Sequence, residues 1–390
     1  MINKWQNNIR NFLKLELVTG LLILCAAIVA LILSNSAWSE SYFHFIHLPI
    51  HLSIGSLKLH YGLQHWVNDA LMVLFFYVVG LEIKKELIEG ELASPKKAAL
   101  PIFSALGGML IPACIYLFFN YKLDSQIGWG IPMATDIAFS LGALNLVKQK
   151  VPLSLKVFLL SLAIVDDLGA ILVIALFYTQ HISIHFLSWA LSLLLLLYVL
   201  RKVGLFNLPL LIITGLLVWV CFIKSGVHST IAGVLLAFLT PLYHPKTKKV
   251  IASNYIEKLH SFVNFVVLPL FAFSNAGIVL GGQNIFTSLS HPVSLGVSFG
   301  LLLGKPLGIL SFALLSIKLK LSSLPKDVNW TQITGIGLIA GMGFTMSIFV
   351  TNLSFVNNPH LTEIAKLSVL LASLSAAILG IILLNKTQKT

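Results

Sequence analysis

A succession of apolar stretches of membrane-spanning length constrains the fold of this chain more than any other feature. An α-helix of about 20 predominantly apolar residues crosses the hydrocarbon core of a bilayer. Twelve such spans are predicted, at 13–34, 63–85, 98–119, 125–146, 153–178, 183–200, 206–223, 226–240, 259–281, 293–315, 331–351 and 362–384. The seventh and eighth are short and separated only by Lys224-Ser225-Gly226, so a single interrupted element is the alternative for this pair. Only 10% of the 390 residues are charged, whereas soluble domains are about a quarter charged. The sequence predicts an all-α polytopic membrane protein with one transmembrane domain over residues 1–390.

The basic residues predict how these spans are oriented. With the N-terminus inside, 21 of the 26 Lys and Arg residues fall on inner segments and three fall on outer loops. Positive charge is enriched in cytoplasmic loops, so this bias indicates an even number of spans with both termini cytoplasmic. The net charge of +12 is therefore a topology signal within a lipid-embedded protein, and no nucleic-acid partner is expected.

Residues 50–60, between the first two spans, alternate between apolar and polar around Gly55-Ser56. Period-two alternation around such a dipeptide is typical of a β-hairpin with a type II′ turn. An irregular outer loop is an equally good interpretation of so short a pattern. An isolated hairpin is only marginally stable in water, so this one is expected to pack on something, for which a second protomer is a candidate.

Two adjacent aspartates, Asp166 and Asp167, interrupt the apolar run from Val157 to Tyr178. Each central Asp costs roughly 2.5–3.5 kcal/mol in membrane insertion, so the pair costs about 5–7 kcal/mol, and the 14 Leu, Ile, Val and Phe residues of the run return only about 4–8 kcal/mol. The run is close to break-even as a span, and carboxylates inside a membrane indicate a functional site. Carboxylate oxygens suit a small hard cation such as sodium or lithium, or protons. Adjacent helical residues point about 100° apart, so a cavity must meet one edge of this helix.

Two other predicted spans contain helix-breaking residues near their centres. The fourth holds Pro132 and Asp136, and the eleventh holds four glycines between 335 and 343 followed by Thr345. Irregular backbone at membrane depth is tolerated where it lines a cavity or is buried in protein. Paired interruptions are typical of a transporter binding site, and pairing spans three to five with ten to twelve fits an inverted repeat. Close helix packing through small residues is the alternative for span eleven.

Lys305 lies near the centre of the tenth predicted span, about 15 Å from either end. This is too far for the ammonium to reach water by snorkelling, so it needs an anionic partner within the membrane. Asp136, Asp166 and Asp167 are the three candidates.

Titratable residues also stand at the ends of predicted spans. Glu82 and Glu86 have i,i+4 spacing at the inner end of span two, where a solvated helix end and a pH-sensing mouth are both compatible with the pattern. His228 opens span eight, where it fits either a pH response or a packing histidine. Asp69, near the outer end of span two, is interpreted as an interfacial carboxylate.

Eight spaced motifs together resemble the NhaA family of bacterial sodium/proton antiporters. In order they are His65-Trp66-Val67-Asn68-Asp69, Gly80-Leu81-Glu82 with Glu86, Ala134-Thr135-Asp136, Ala163 to Ala170, Lys224-Ser225-Gly226-Val227-His228, Leu268 to Phe273, Gly304 to Gly308, and Gly343-Phe344-Thr345-Met346-Ser347. The resemblance covers nearly the whole chain and implies twelve helices, the fourth and eleventh unwound and crossing at mid-membrane.

The resemblance also implies roles for residues at mid-membrane. Asp166 and Asp167 correspond to the family's cation- and proton-binding pair. Asp136 and Lys305 correspond to residues that balance the facing dipole ends of the broken helices, and Lys305 also to the partner of the first aspartate. Thr135 corresponds to a residue beside the site.

Further implications of the resemblance concern regulation and assembly. Glu82 and Glu86 match acids of the cytoplasmic mouth linked to pH activation, and His228 matches a histidine that affects the pH response. The 241–258 loop and the nearby His260 depart from the family's pattern. The family is located in the inner membrane and is dimeric through an outer β-hairpin.

The function expected from these residues is electrogenic exchange of cytoplasmic sodium or lithium for a larger number of external protons. No cofactor is expected, and the sequence holds no glycine-rich phosphate loop ending in Lys-Ser/Thr. Two alternatives are a sodium-coupled solute symporter of related fold and, more remotely, an intramembrane aspartyl protease that uses Asp136 with Asp166.

Overall fold

A computed structural model describes residues 2–54, 57–147, 151–179, 182–242, 258–280, 285–325 and 327–387. Most of these residues are helical, and two strands, β1 (Pro49–Ile54) and β2 (Leu57–Gly62), pair with each other. The helices are α1 Ile2–Ser34, α2 Ser39–Ile46, α3 Leu63–Glu89, α4 Pro95–Asn120, α5 Asp124–Met133, α6 Ile137–Asn145, α7 Leu153–Phe177, α8 Ile184–Val203, α9 Leu208–Ser225, α10 Thr230–Leu239, α11 258–275, α12 Ile285–Ser290, α13 Pro292–Lys318, α14 Trp330–Ala340, α15 Phe344–Ser354 and α16 Pro359–Thr387.

Within the described part of the chain, eight helices are long and apolar enough to cross a membrane. The pairs α5–α6 and α14–α15 each satisfy the same criterion as a unit, although they bend by 45° and 47° at a short break, and counting them gives ten. The expected polytopic, predominantly helical fold is thereby confirmed. The finer expectation of twelve spans exceeds this number by two: α10 has only ten residues, and α11 is not among the helices that meet the criterion.

The chain divides into two compact units, of which the first comprises Met1–Tyr42, Glu91–Ala170 and Asn275–Thr390. Its helices α4 and α13 pack closely along each other, because Gly107 and Gly308 face one another with no side chain between them. A Cβ atom at either glycine would collide with the backbone carbonyl of the other. Small residues at such a crossing allow two membrane helices to approach at backbone distance.

The second unit comprises Phe43–Gly90 and Ile171–Ser274. Its helices α3 and α10 pack together, again at glycines: Gly80 lies against α10, and Gly233 lies against the backbone of α3 at Val73. Helices α8 and α9 form an antiparallel pair that buries Leu197 and Val218 in a shared apolar cluster.

The predicted hairpin is present, since β1 and β2 are antiparallel in the register Ile50↔Tyr61, His51↔His60 and Ile54↔Leu57. The predicted turn at Gly55-Ser56 lies outside the described residues. Helices α9 and α10 are separate elements: α9 ends at Gly226, which has φ +79°, a left-handed conformation that glycine adopts without steric cost.

Candidate functional site

Two bent helix pairs bring their breaks together in the first unit. The backbone is extended at Ala134 (ψ 148°) and Asp136 (ψ 108°), directly after Pro132, which cannot donate a helical hydrogen bond. The amide of Asp136 donates to the carbonyl of Met342, over 2.7 Å, in the break between α14 and α15. The two non-helical segments are therefore hydrogen-bonded directly to each other.

The two pairs also contact each other in a reciprocal way. Ser140 of α6 lies within hydrogen-bond distance of the carbonyl of Ile339 in α14 (3.2 Å), and Ser347 of α15 donates to the carbonyl of Ile131 in α5 (2.7 Å). The two contacts are equivalent. In each, a serine near the start of the second helix of one pair (α6 or α15) contacts a carbonyl in the last turn of the first helix of the other pair (α14 or α5). The carbonyls of a helix's last turn lack partners in the regular helical pattern, and the two serines place hydroxyl groups next to them. The carbonyl of Ile339 also accepts the amide of Met342 (3.0 Å).

Asp136 lies between the N-termini of α6 and α15. Its carboxylate accepts the amide of Phe139 (3.0 Å) at the start of α6, and the amide (3.1 Å) and hydroxyl of Thr345 at the start of α15. The side chain of Asp136 is 2% exposed. A helix N-terminus carries partial positive charge, so one buried carboxylate stabilises two helix ends that face each other.

Lys305 of α13 forms an ion pair with Asp166 of α7, with 2.7 Å between Nζ and Oδ2, and both side chains are fully buried. The ammonium also donates to the carbonyl of Met133, the last residue of α5. A cation is favourable at a helix C-terminus, so Lys305 balances the end of α5 as well as Asp166. Of the three partners left open by the sequence, the structure pairs Lys305 with Asp166.

Thr135 is in direct contact with the same carboxylate. Its hydroxyl lies 2.7 Å from Asp166 Oδ2 and 2.9 Å from the carbonyl of Ala340, the last residue of α14. A hydroxyl has one proton to donate, so it can serve only one of these two acceptors at a time.

Asp167 follows on α7 and is 1% exposed. The second oxygen of Asp166, Oδ1, is buried and has no hydrogen-bond donor among the described residues. Among the described residues of the cluster there are therefore three buried carboxylates, those of Asp136, Asp166 and Asp167, and one ammonium, that of Lys305, which pairs with Asp166. An excess of negative charge away from water favours the binding of a cation or a proton.

Thr345 is predicted from the sequence only as a polar residue in a glycine-rich span, without a partner. Ser140 and the carbonyls of Met133 and Ala340 are not predicted, and Ser347 appears only as the last residue of a motif. Serines in an apolar span are too common to indicate a site, and main-chain carbonyls leave no signal in a sequence.

The candidate regulatory residues lie in the second unit. Glu82 pairs with His260, with 3.0 Å between Oε1 and Nε2, and the two side chains are only 20% and 11% exposed. Glu86 lies one turn further along α3 and is half-buried. Lys84 does not fit a solvated helix end, because it is buried and donates to the carbonyls of Phe238 (2.7 Å) and Thr240 at the C-terminal end of α10.

His228 lies in the connection between α9 and α10. Its Nε2 lies 2.8 Å from the carbonyl of Tyr178, and since a carbonyl only accepts, Nε2 carries the proton. The next residue, Ser229, contacts Asp69 (3.2 Å), which also pairs with His65 (2.8 Å). Asp69 thus links α3 to the segment before α10. The sequence predicts only an interfacial carboxylate here.

The described residues form eight long apolar helices and two bent helix pairs, and the bent pairs meet at buried charged residues. This arrangement is typical of secondary membrane transporters, which are not enzymes. The chain belongs to the Na+/H+ antiporter 1 family, because the sequence model of that family matches residues 10–384. The resemblance inferred from the eight motifs is confirmed.

Individual relatives match almost end to end. The Na(+)/H(+) antiporter NhaA of Shewanella amazonensis is 45% identical over 380 residues, which cover 97% of each chain. The protein of the same name from Tolumonas auensis is 44% identical over 383 residues, covering 98% of this chain and 96% of the relative. That of Yersinia pseudotuberculosis is 45% identical over 381 residues, covering 97% and 96%.

Proposed function

We propose that this chain is an electrogenic antiporter that exports cytoplasmic sodium or lithium in exchange for a larger number of external protons. Membership of the Na+/H+ antiporter 1 family supports this proposal. The observation that carries it is the excess of buried carboxylate over ammonium around Asp166, with one oxygen of that residue available to a ligand. Such a cluster can be neutralised either by a small cation or by protons, and competition between the two is what exchange requires.

Asp166 and Asp167 are proposed as the residues that bind the transported ion. Lys305 and Thr135 hold Oδ2 of Asp166, and this leaves Oδ1 for the cation together with Asp167. Protons arriving from outside neutralise the pair and release the cation. Loss of those protons to the cytoplasm restores a site that takes up the next cation. Asp136 and Lys305 act as the supports that balance the charges at the facing helix ends.

The proposed membrane topology has twelve spans with both termini cytoplasmic. In this topology α5–α6 and α14–α15 are the fourth and eleventh spans, interrupted at mid-membrane, and α10 and α11 are the eighth and ninth. The reciprocal contacts of Ser140 and Ser347 support an inverted repeat, because corresponding positions in the two bent pairs make equivalent hydrogen bonds.

We also propose pH regulation through Glu82, Glu86 and His228. The contact of Glu82 with His260 supports this assignment, because it places two titratable side chains against each other at the inner end of α3. The protein is placed in the bacterial inner membrane, surrounded by lipid. It is proposed to form a homodimer through the outer hairpin and to need neither a cofactor nor a nucleic-acid partner.

Sodium-dependent proton release from everted membrane vesicles, followed with a pH-sensitive dye over several pH values, tests the proposed exchange. The wild-type chain is expected to respond to sodium or lithium, and Asp166→Asn and Asp167→Asn are expected to abolish the response. Asp124→Asn provides a matched control, because this exposed aspartate at the start of α5 lies outside the cluster. It is expected to exchange ions like the wild type.

Exchange that survives both substitutions would refute the assignment of the pair. Absence of exchange in the wild type at every pH would refute the antiporter itself. A sodium-coupled symporter would instead accumulate a solute. Among the described residues no contact favours the protease alternative, because Asp136 is bound to two helix N-termini and Asp166 to Lys305.

A further inference from the structure

Two histidines stand directly opposite each other on the hairpin. In the register of β1 and β2, His51 pairs with His60, and residues paired across antiparallel strands project from the same face. Directly opposed residues have Cβ atoms about 4.5–5.5 Å apart, which is close enough for two imidazole rings to meet. Both histidines are exposed to solvent. The family resemblance gives this pair no role.

The two rings are already in contact through equivalent nitrogens. The Nδ1 atoms are 2.7 Å apart, and the ring centroids are 4.7 Å apart with the planes tilted by 60°. At this distance one Nδ1 donates a proton to the lone pair of the other. If the donor histidine changes to the tautomer that carries its proton on Nε2, both Nδ1 atoms have a lone pair available for a metal. Both rings remain neutral in this arrangement.

The separation of the two nitrogens distinguishes between metals. For bonds of about 2.0 Å, two nitrogens in adjacent corners of a square plane are about 2.8 Å apart, whereas those of a tetrahedron are about 3.3 Å apart. The hydrogen-bonded separation of 2.7 Å in the metal-free pair is closer to the square-planar value than to the tetrahedral one, so the two nitrogens need to move less to bind a metal in square-planar geometry. Square-planar or tetragonal geometry is typical of Cu²⁺ and Ni²⁺, and imidazole nitrogen suits both, with Cu²⁺ bound more tightly.

We propose that His51 and His60 form a transition-metal site on the hairpin that takes Cu²⁺, and more weakly Ni²⁺, through the two Nδ1 atoms in adjacent coordination positions. No group of three or more His, Cys, Asp and Glu residues suited to a metal occurs among the described residues, so water completes the coordination. The bound ion would link β1 to β2. This site is separate from the transported ion and does not depend on the proposed exchange.

Titration of the purified full-length protein with Cu²⁺, followed by electron paramagnetic resonance, tests this inference. The protein should carry an affinity tag without histidine. One Cu²⁺ per chain is expected, with a tetragonal spectrum showing coupling to two nitrogens. Replacing one member of a preorganised pair removes the chelate effect, so His60→Ala or His51→Ala is expected to weaken Cu²⁺ binding by about 100-fold.

His185→Ala is the matched control, because this histidine is also exposed and lies on α8. It should bind Cu²⁺ like the wild type, and all three variants should retain the wild-type circular dichroism spectrum. Two results would overturn the proposal: unchanged Cu²⁺ affinity and nitrogen coupling in His60→Ala, or Zn²⁺ binding at this pair tighter than Cu²⁺ binding. If the His60→Ala variant does not fold, the electron paramagnetic resonance spectrum of the wild type with Cu²⁺ is itself the test. Coupling of the copper to fewer than two nitrogens would then overturn the proposal.

Discussion

At the scale of single residues, the ion pair of Lys305 and Asp166 determines how substitutions in the cluster affect stability. Both side chains are fully buried, so water cannot solvate either charge if the other member of the pair is removed. Removal of one member of a buried pair leaves the other charge uncompensated, at a cost of about 3–5 kcal/mol.

Lys305→Met is therefore expected to lower the free energy of unfolding by about 3–5 kcal/mol, because the carboxylate of Asp166 loses its counter-ion. Thermal unfolding of the purified protein in detergent measures the effect. Lys96→Met is the control, since this lysine is exposed in the same unit. The double variant Lys305→Met/Asp166→Asn should recover part of the loss. Strictly additive effects of the two substitutions would contradict a direct interaction between them.

The candidate site was predictable from the sequence only as a set of residue types. The cost of placing Asp166, Asp167 and Lys305 in a membrane is a property of each residue, so the sequence singles them out. Their partners depend on how each helix is rotated about its axis. For that reason the sequence leaves three possible partners for Lys305 and gives no sign of the contacts between Asp136 and Thr345.

At the scale of secondary-structure elements, His291 is the N-cap of α13. Its Nδ1 accepts the amide of Val293 (3.2 Å), which requires that nitrogen to be unprotonated. Desolvation by partial burial, together with the nearby His360, lowers the pKa of His291 below its ordinary value of 6.5. The folded protein therefore binds this proton less readily than the unfolded chain does.

The stability that this cap contributes is fully present above about pH 6.5 and is lost as the pH falls through the lowered pKa of the folded state. His291→Asn keeps a good capping side chain that does not titrate. We expect the apparent melting temperature of the wild type to decrease more steeply below pH 6.5 than that of His291→Asn. Scans between pH 5 and 8 measure this difference. His185→Asn should follow the wild type, and parallel curves for His291→Asn and the wild type would refute the effect.

Breaks in helices were easier to predict than helix lengths. Pro132 and the glycines up to Gly343 carry a local chemical reason to end a helix, and both bends occur at these residues. The C-terminal end of α10 has a local cause as well, because Pro241 disfavours helical backbone at the preceding Thr240. The left-handed Gly226 before α10 and the contacts of its last carbonyls with Lys84 depend on the folded structure and leave no comparable signal.

At the scale of the whole molecule, the distribution of basic residues predicts that both termini face the cytoplasm. A C-terminal fusion to green fluorescent protein should fluoresce, and the same fusion to alkaline phosphatase should be inactive. A truncated fusion of the phosphatase after Trp38, beyond α1, should be active and serves as the control. An active full-length phosphatase fusion would contradict the proposed topology and an even number of spans.

Membrane insertion and the helical class follow from composition and periodicity alone, because they depend on the average polarity of long segments. The number of spans is harder to obtain. It depends on whether short or bent helices cross the bilayer, and eight, ten and twelve are each compatible with part of the hydropathy profile.

The position of Asp136 has a consequence for how the molecule can move. Its carboxylate connects the start of α6 to the start of α15, and each hydrogen bond to a charged group contributes about 1.5–3 kcal/mol. Separation of these two half-helices would break the bonds to at least one of them inside an apolar environment. We therefore expect the starts of α6 and α15 to move together as a rigid body during each transport cycle, because their separation would leave hydrogen-bonding groups buried without partners.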